Sequence, residues 1–84
     1  MADPVVSILI VTWKRIDLLE ECLHGIAAAK PEVPFELVIV NNGGARTAAR
    51  VDALSAGARV VHSCVNLGLP GGLQLARSMA RGKY

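Results

Sequence analysis

Three short apolar runs alternate along the chain with three helical patterns. Residues 5–11 (VVSILIV), 35–40 (FELVIV) and 58–63 (ARVVHS) are rich in β-branched side chains and lack a sustained polar alternation. Such runs suit strands covered on both faces, as in parallel sheets. From Ile16 onward, Ile16, Leu19, Leu23 and Ile26 recur at steps of three and four, with Asp17, Glu20 and Glu21 gathered where a helix dipole favours acids. This predicts an amphipathic helix from Ile16 to about Lys30. A second helix is predicted over 47–56, with Val51 and Leu54 turned inward and Gly57 ending it. A third begins at Pro70, which suits a first helical turn, presents Leu73, Ala76, Met79 and Ala80 as its buried stripe, and stops at Gly82.

The order strand, helix, strand, helix, strand, helix predicts an α/β fold, a Rossmann-like three-stranded parallel sheet with three helices and right-handed crossovers. Ligands of such sheets bind beyond the carboxyl ends of the strands. Three polar segments should therefore meet there: TWKR after the first strand, NNGG after the second and SCVNLGLPGG after the third.

Composition sets the scale of the core. With 84 residues, 52% hydrophobic but only 4% aromatic, the chain has room for one domain with an aliphatic interior and slender stability. The opening MADPVVSILIVTWKR has neither a basic leader nor an apolar run near the roughly 20 residues of a membrane span, so a soluble, cytoplasmic chain is expected. Cys22 and Cys64 lack metal-ligand spacing and are expected as reduced core residues. Charge is uneven: residues 1–43 hold three basic and six acidic side chains, whereas residues 44–84 hold six basic ones and a single acid, Asp52. The arginines are dispersed and no aromatic residues interleave them, which favours solvated helix faces over a nucleic-acid partner.

Several chemistries lack their motifs. No glycine follows the first strand in the positions a dinucleotide fingerprint requires, and no lysine closes the Gly68–Gly72 loop as in a phosphate-binding P-loop. His24, His62, Ser7, Ser63 and Thr12 have no partners at triad or ligand spacing, so acyl transfer and metal binding find no support.

The ordered stretches VSILIVTWKRIDLLEECLHGI, FELVIVNNGG and ARVVHSCVNLGLPGGLQLARSMARGKY resemble the start of the family 2 glycosyltransferases, over nearly the whole chain. The resemblance implies the N-terminal, nucleotide-binding part of a GT-A fold that takes a nucleoside diphosphate-sugar donor. It implies that Thr12 and Trp13 border the base and that Arg15 lies near the base or diphosphate. Asn41 and Asn42 stand where the family often places acids, Asn42 at the position that contacts the base, and Asn66 and Gly68 match its Asn-x-Gly element, beside which Gly71 and Gly72 would let backbone approach a ligand. Lys14 replaces a usual asparagine.

The family's following element is a strand leading to an Asp-x-Asp motif that binds Mg²⁺ or Mn²⁺. No acid of this chain stands at that position, so residues 1–84 are expected to be a domain piece cut before it, inactive alone, with no catalytic residue or metal ligand of its own. The other reading is a non-catalytic nucleotide-binding or self-associating module, forming a homodimer through an exposed sheet edge or apolar face.

Overall fold

The computed structural model describes residues 4–55, 57–63 and 65–84; Cys64 lies outside the described residues. Its elements are β1 (Val6–Thr12), α1 (Ile16–Ala29), β2 (Phe35–Asn41), α2 (Ala45–Leu54), β3 (Arg59–His62) and α3 (Gly68–Met79). The strands form one parallel sheet in the order β1-β2-β3, with Thr12 opposite Asn41 and Asn41 opposite His62. The α/β, Rossmann-like expectation is therefore met.

Strand alternation divides the interior in two. Ile10, Ile39 and Val60 pack with Ile16, Leu19 and Leu23 of α1 and with Val51 and Leu54 of α2. On the opposite face Leu9, Val11, Val38 and Val40 pack with Leu75, Ala76 and Met79 of α3. Val38, Ile39 and Val40 are completely buried, because β2 has a strand on each side and helices above and below. Apolar runs without polar alternation are what this double coverage demands.

Four details differ from the sequence reading. First, α3 starts at Gly68, two residues before Pro70. Gly68 adopts φ +70° and its N–H is taken by Asn66 Oδ1 at 2.8 Å. Pro70 still lies in the first turn, where no N–H needs a helical partner. Second, the inward stripe of α3 includes Gly72 and Leu75, while Leu73 is exposed. A Cβ on Gly72 would lie 2.7 Å from a Val11 methyl, so a glycine is itself a core position, letting the helix close on the sheet. Third, α2 starts at Ala45 rather than Thr47, directly after Gly44 turns the chain with φ +72°. Fourth, Cys22 is exposed, because the inward face of α1 is already filled by Ile16, Leu19 and Leu23.

At the amino ends of the strands, Glu36 gathers distant segments. It accepts hydrogen bonds from Ser7 Oγ at 2.6 Å, from Arg59 at 2.6 Å and from the Arg81 backbone N–H at 2.5 Å. Arg59 also donates to the Met79 carbonyl. Gly82 passes so close that a Cβ there would sit 2.7 Å from Ser7 N. Tyr84 then hydrogen-bonds to β1, its N–H to Val5 O at 3.0 Å and its carbonyl to Ser7 N at 2.8 Å. These are the backbone groups of β1 that point away from β2.

The donors around Glu36, the Ser7 hydroxyl foremost, hold its carboxyl at about 2 against an ordinary 4.5. A depressed carboxyl contributes stability that is full above its unfolded value and lost as pH falls toward the folded one. Glu36→Gln is expected to lower unfolding free energy at neutral pH by about 2 kcal/mol. It should also remove part of the stability loss between pH 4.5 and about 2. Denaturant titrations at several pH values check this, and an unchanged acid profile would refute the role given to Glu36.

Candidate functional site

The connection from β3 crosses to the sheet face opposite α1 and α2, so the loops after β1 and β3 leave in opposite directions. A crevice opens between them, at the carboxyl ends of the strands. It holds a cleft of about 240 Å³ lined by Val11, Trp13, Asn42, Asn66, Gly68 and Leu69. On the other side of β1 a second cleft, about 370 Å³, is lined by Thr12, Trp13, Arg15, Leu18 and Cys22 among others. Trp13 lines both.

Trp13 is 51% exposed, which leaves an indole surface free for a flat partner. Lys14 Nζ lies 4.7 Å from its ring centroid, in cation–π contact. Lys14 itself has φ +63°, in the left-handed region that asparagine tolerates far better than lysine. Arg15 precedes α1 and forks onto Asp17, with Nε at 3.0 Å and Nη2 at 2.8 Å. That pairing holds the Asp17 carboxyl down at about 2.

The two asparagines after β2 have different duties. Asn42 is 5% exposed and bridges to the third loop: its Nδ2 donates to Gly68 O at 3.1 Å, and its Oδ1 accepts from Leu67 N–H at 3.4 Å. Asn41 is fully buried behind the cleft. Its Oδ1 accepts from Gly43 N–H at 2.9 Å and from the Thr47 hydroxyl at 3.1 Å. Its Nδ2 lies 3.3 Å from Gly44 O and 3.1 Å from His62 Nδ1.

The structure thus brings Trp13, Asn42, Asn66 and Gly68 to one cleft, Thr12 and Arg15 to the adjoining one, and Asn41 to the layer beneath. Gly72 serves the packing of α3 on Val11, and a Cβ on Gly71 would meet Leu67 of its own turn at 3.0 Å. The sequence reading gave His62 no partner, yet its Nε2 lies 2.9 Å from Asp52 Oδ1 and its Nδ1 faces Asn41. Those partners are 10 and 21 positions away, and only the strand register, Asn41 opposite His62, points to the second. His24 is exposed on α1.

The profile of the family described as "Glycosyl transferase family 2" matches residues 7–84. No curated protein matches the chain.

Lys14→Asn is expected to raise unfolding free energy by about 0.5–1 kcal/mol, a fraction of the roughly 1–2 kcal/mol that left-handed backbone costs an ordinary residue. Thermal unfolding of the two proteins checks this. A lower midpoint would mean that the lysine contact with Trp13 outweighs the strain.

Proposed function

The chain belongs to glycosyl transferase family 2, and on that premise we propose that it forms the donor-binding part of a glycosyltransferase domain. A nucleoside diphosphate-sugar would lie where the loops after β1, β2 and β3 meet, for transfer of its sugar to an acceptor. The observation that carries this reading is the convergence of Trp13, Asn42, Asn66 and Gly68 on one cleft at the sheet's topological switch.

Each residue has a chemical task in this reading. The Trp13 indole packs against the base, an interaction worth about 1–3 kcal/mol in comparable stacks. Thr12 and Asn41 hold the strand ends behind it, and Asn42 fixes the start of α3 against the base pocket. Asn66 keeps its oxygen on Gly68 N–H and offers its NH₂ to the ligand. A guanidinium has five N–H donors, and Asp17 takes two from Arg15, so three remain for a diphosphate oxygen.

The Mg²⁺ or Mn²⁺ that the family implies would neutralise charge on the departing nucleoside diphosphate. The described residues do not fit it. Among them no three His, Cys, Asp or Glu side chains come together, Asp17 is held by Arg15, and Asp52 by His62. These residues therefore bind and orient a donor, and residues 1–84 alone are not expected to turn it over. Among the described residues no helix is long and apolar enough to cross a membrane.

The chain has a single tryptophan, so its fluorescence reports on the site directly. Titration with UDP or dTDP is expected to change Trp13 emission. Trp13→Ala should weaken binding about tenfold or more by calorimetry, the equivalent of the stacking energy. Neither emission change nor heat at millimolar nucleotide, with or without Mn²⁺, would overturn the reading.

Self-association is a second reading, supported by Leu69 and Leu73, which α3 leaves 62% and 38% exposed. Sedimentation tests it: a dimer that Leu69→Ser disperses is expected if that face is an interface, and a monomer at all concentrations excludes it.

A further inference from the structure

The hydrogen bonds around Asn41 determine the state of a histidine that the nucleotide reading does not use. Asn41 Oδ1 takes the Gly43 N–H at 2.9 Å and the Thr47 hydroxyl at 3.1 Å. Its NH₂ must then face the other way, toward Gly44 O at 3.3 Å and His62 Nδ1 at 3.1 Å. Reversing the amide would set its NH₂ against the Gly43 N–H, leaving two donors facing each other. An amide NH₂ only donates, so His62 Nδ1 has to accept and carries no proton. The ring proton sits on Nε2, 2.9 Å from Asp52 Oδ1. Asp52, His62, Asn41 and Gly43 form one directed chain, each N–H donating to the next acceptor toward Asp52.

We propose that His62 is a positioning residue: held by Asp52 as the Nε2–H tautomer, it locks the Asn41 amide and with it the 41–44 turn beneath the donor cleft. The link to the ligand rests on the nucleotide reading, through Asn42, whose amide grips Gly68 and Leu67 at the cleft wall.

A proton on Nδ1 would turn the acceptor into a donor facing the Asn41 NH₂, and the chain would break at that point. β3 packs chiefly against β2 and α2. From α2, Asp52 faces the imidazole, while Arg46 and Arg50 are exposed and make no hydrogen bond to it. From β2 the neighbour is the uncharged Asn41; Glu36 lies at the other end of that strand, with Arg59. Asp52 attracts the protonated ring but cannot supply what Asn41 then lacks.

The test compares the wild-type chain with His62→Gln and His62→Leu at one alkaline pH. Nitrogen NMR reads the tautomer of His62, exchange of the Gly43 amide corrected for its intrinsic rate reads the turn, and calorimetry with UDP reads the cleft. The expected wild-type protein carries its ring proton on Nε2. Glutamine, which can present an amide oxygen to Asn41, should keep Gly43 protection and UDP affinity. Leucine should lose about tenfold in each. If the leucine variant does not fold, the tautomer of His62 in the wild-type chain decides the matter.

A proton found on Nδ1 of the neutral ring, or equal Gly43 protection in all three proteins, would overturn the proposal. If UDP binds all three equally, the nucleotide reading stands and the positioning role falls. If Gly43 follows the expected pattern but UDP does not bind the wild-type chain, the nucleotide reading falls and the hold of His62 on the turn stands.

Discussion

Two asparagine side chains at the end of the central strand are shut away from water, and a buried amide costs free energy unless the protein supplies its partners. Asn41 and Asn42 between them engage Gly43, Gly44, Thr47, His62, Leu67 and Gly68. Those partners lie in the turn after β2, the first turn of α2, the end of β3 and the start of α3. Satisfying two amides therefore fixes where two connections run, β2 to α2 and β3 to α3. Removal of one partner would leave a buried donor or acceptor unpaired, which is why the arrangement behaves as a unit.

The second organising fact is the change of face. α1 and α2 share one side of the sheet, as right-handed crossovers between successive neighbouring strands require, and α3 takes the other. Placing α3 there sends the chain back past β2 to the outer edge of β1, where Tyr84 pairs with Val5 and Ser7. The crevice arises from the same change of face. The loops beyond β1 and β3 diverge because their helices lie on opposite sides, and the polar segments of the chain collect in the gap.

Much of this was legible in the residues. β-branched runs without alternation mark the three strands, and the periodicity of Ile16, Leu19 and Leu23 marks the face of α1. What escaped has physical causes. A glycine carries no hydrophobic signal, so apolar periodicity does not mark Gly72 as core and points to Leu73 where the structure buries Leu75 more. Cys22 reads as apolar, yet the helix face it would need was already occupied. The partners of His62 are joined by strand register and by a helix returning over the sheet, neither of which leaves a local spacing to detect. Among the candidate site residues, Trp13, Asn42, Asn66 and Gly68 converge because loops at the same end of a parallel sheet must. The sequence could not reveal that Asn41 lies a layer deeper.

The hydrogen bond from Gly82 N–H to Ser7 Oγ joins residues 75 positions apart. Closing a loop of that length has to follow the local strand–helix–strand units, since its entropy cost is met by few contacts until the sheet exists. Residues 80–84 are in this sense a latch across the edge of β1. While the latch is open, the outer edge of β1 presents unpaired backbone groups that any passing extended segment could adopt as a template. Glu36, by holding the Arg81 N–H and sharing Ser7 with Gly82, thus helps keep the outer edge of β1 covered by the chain's own residues, away from strand addition by another chain.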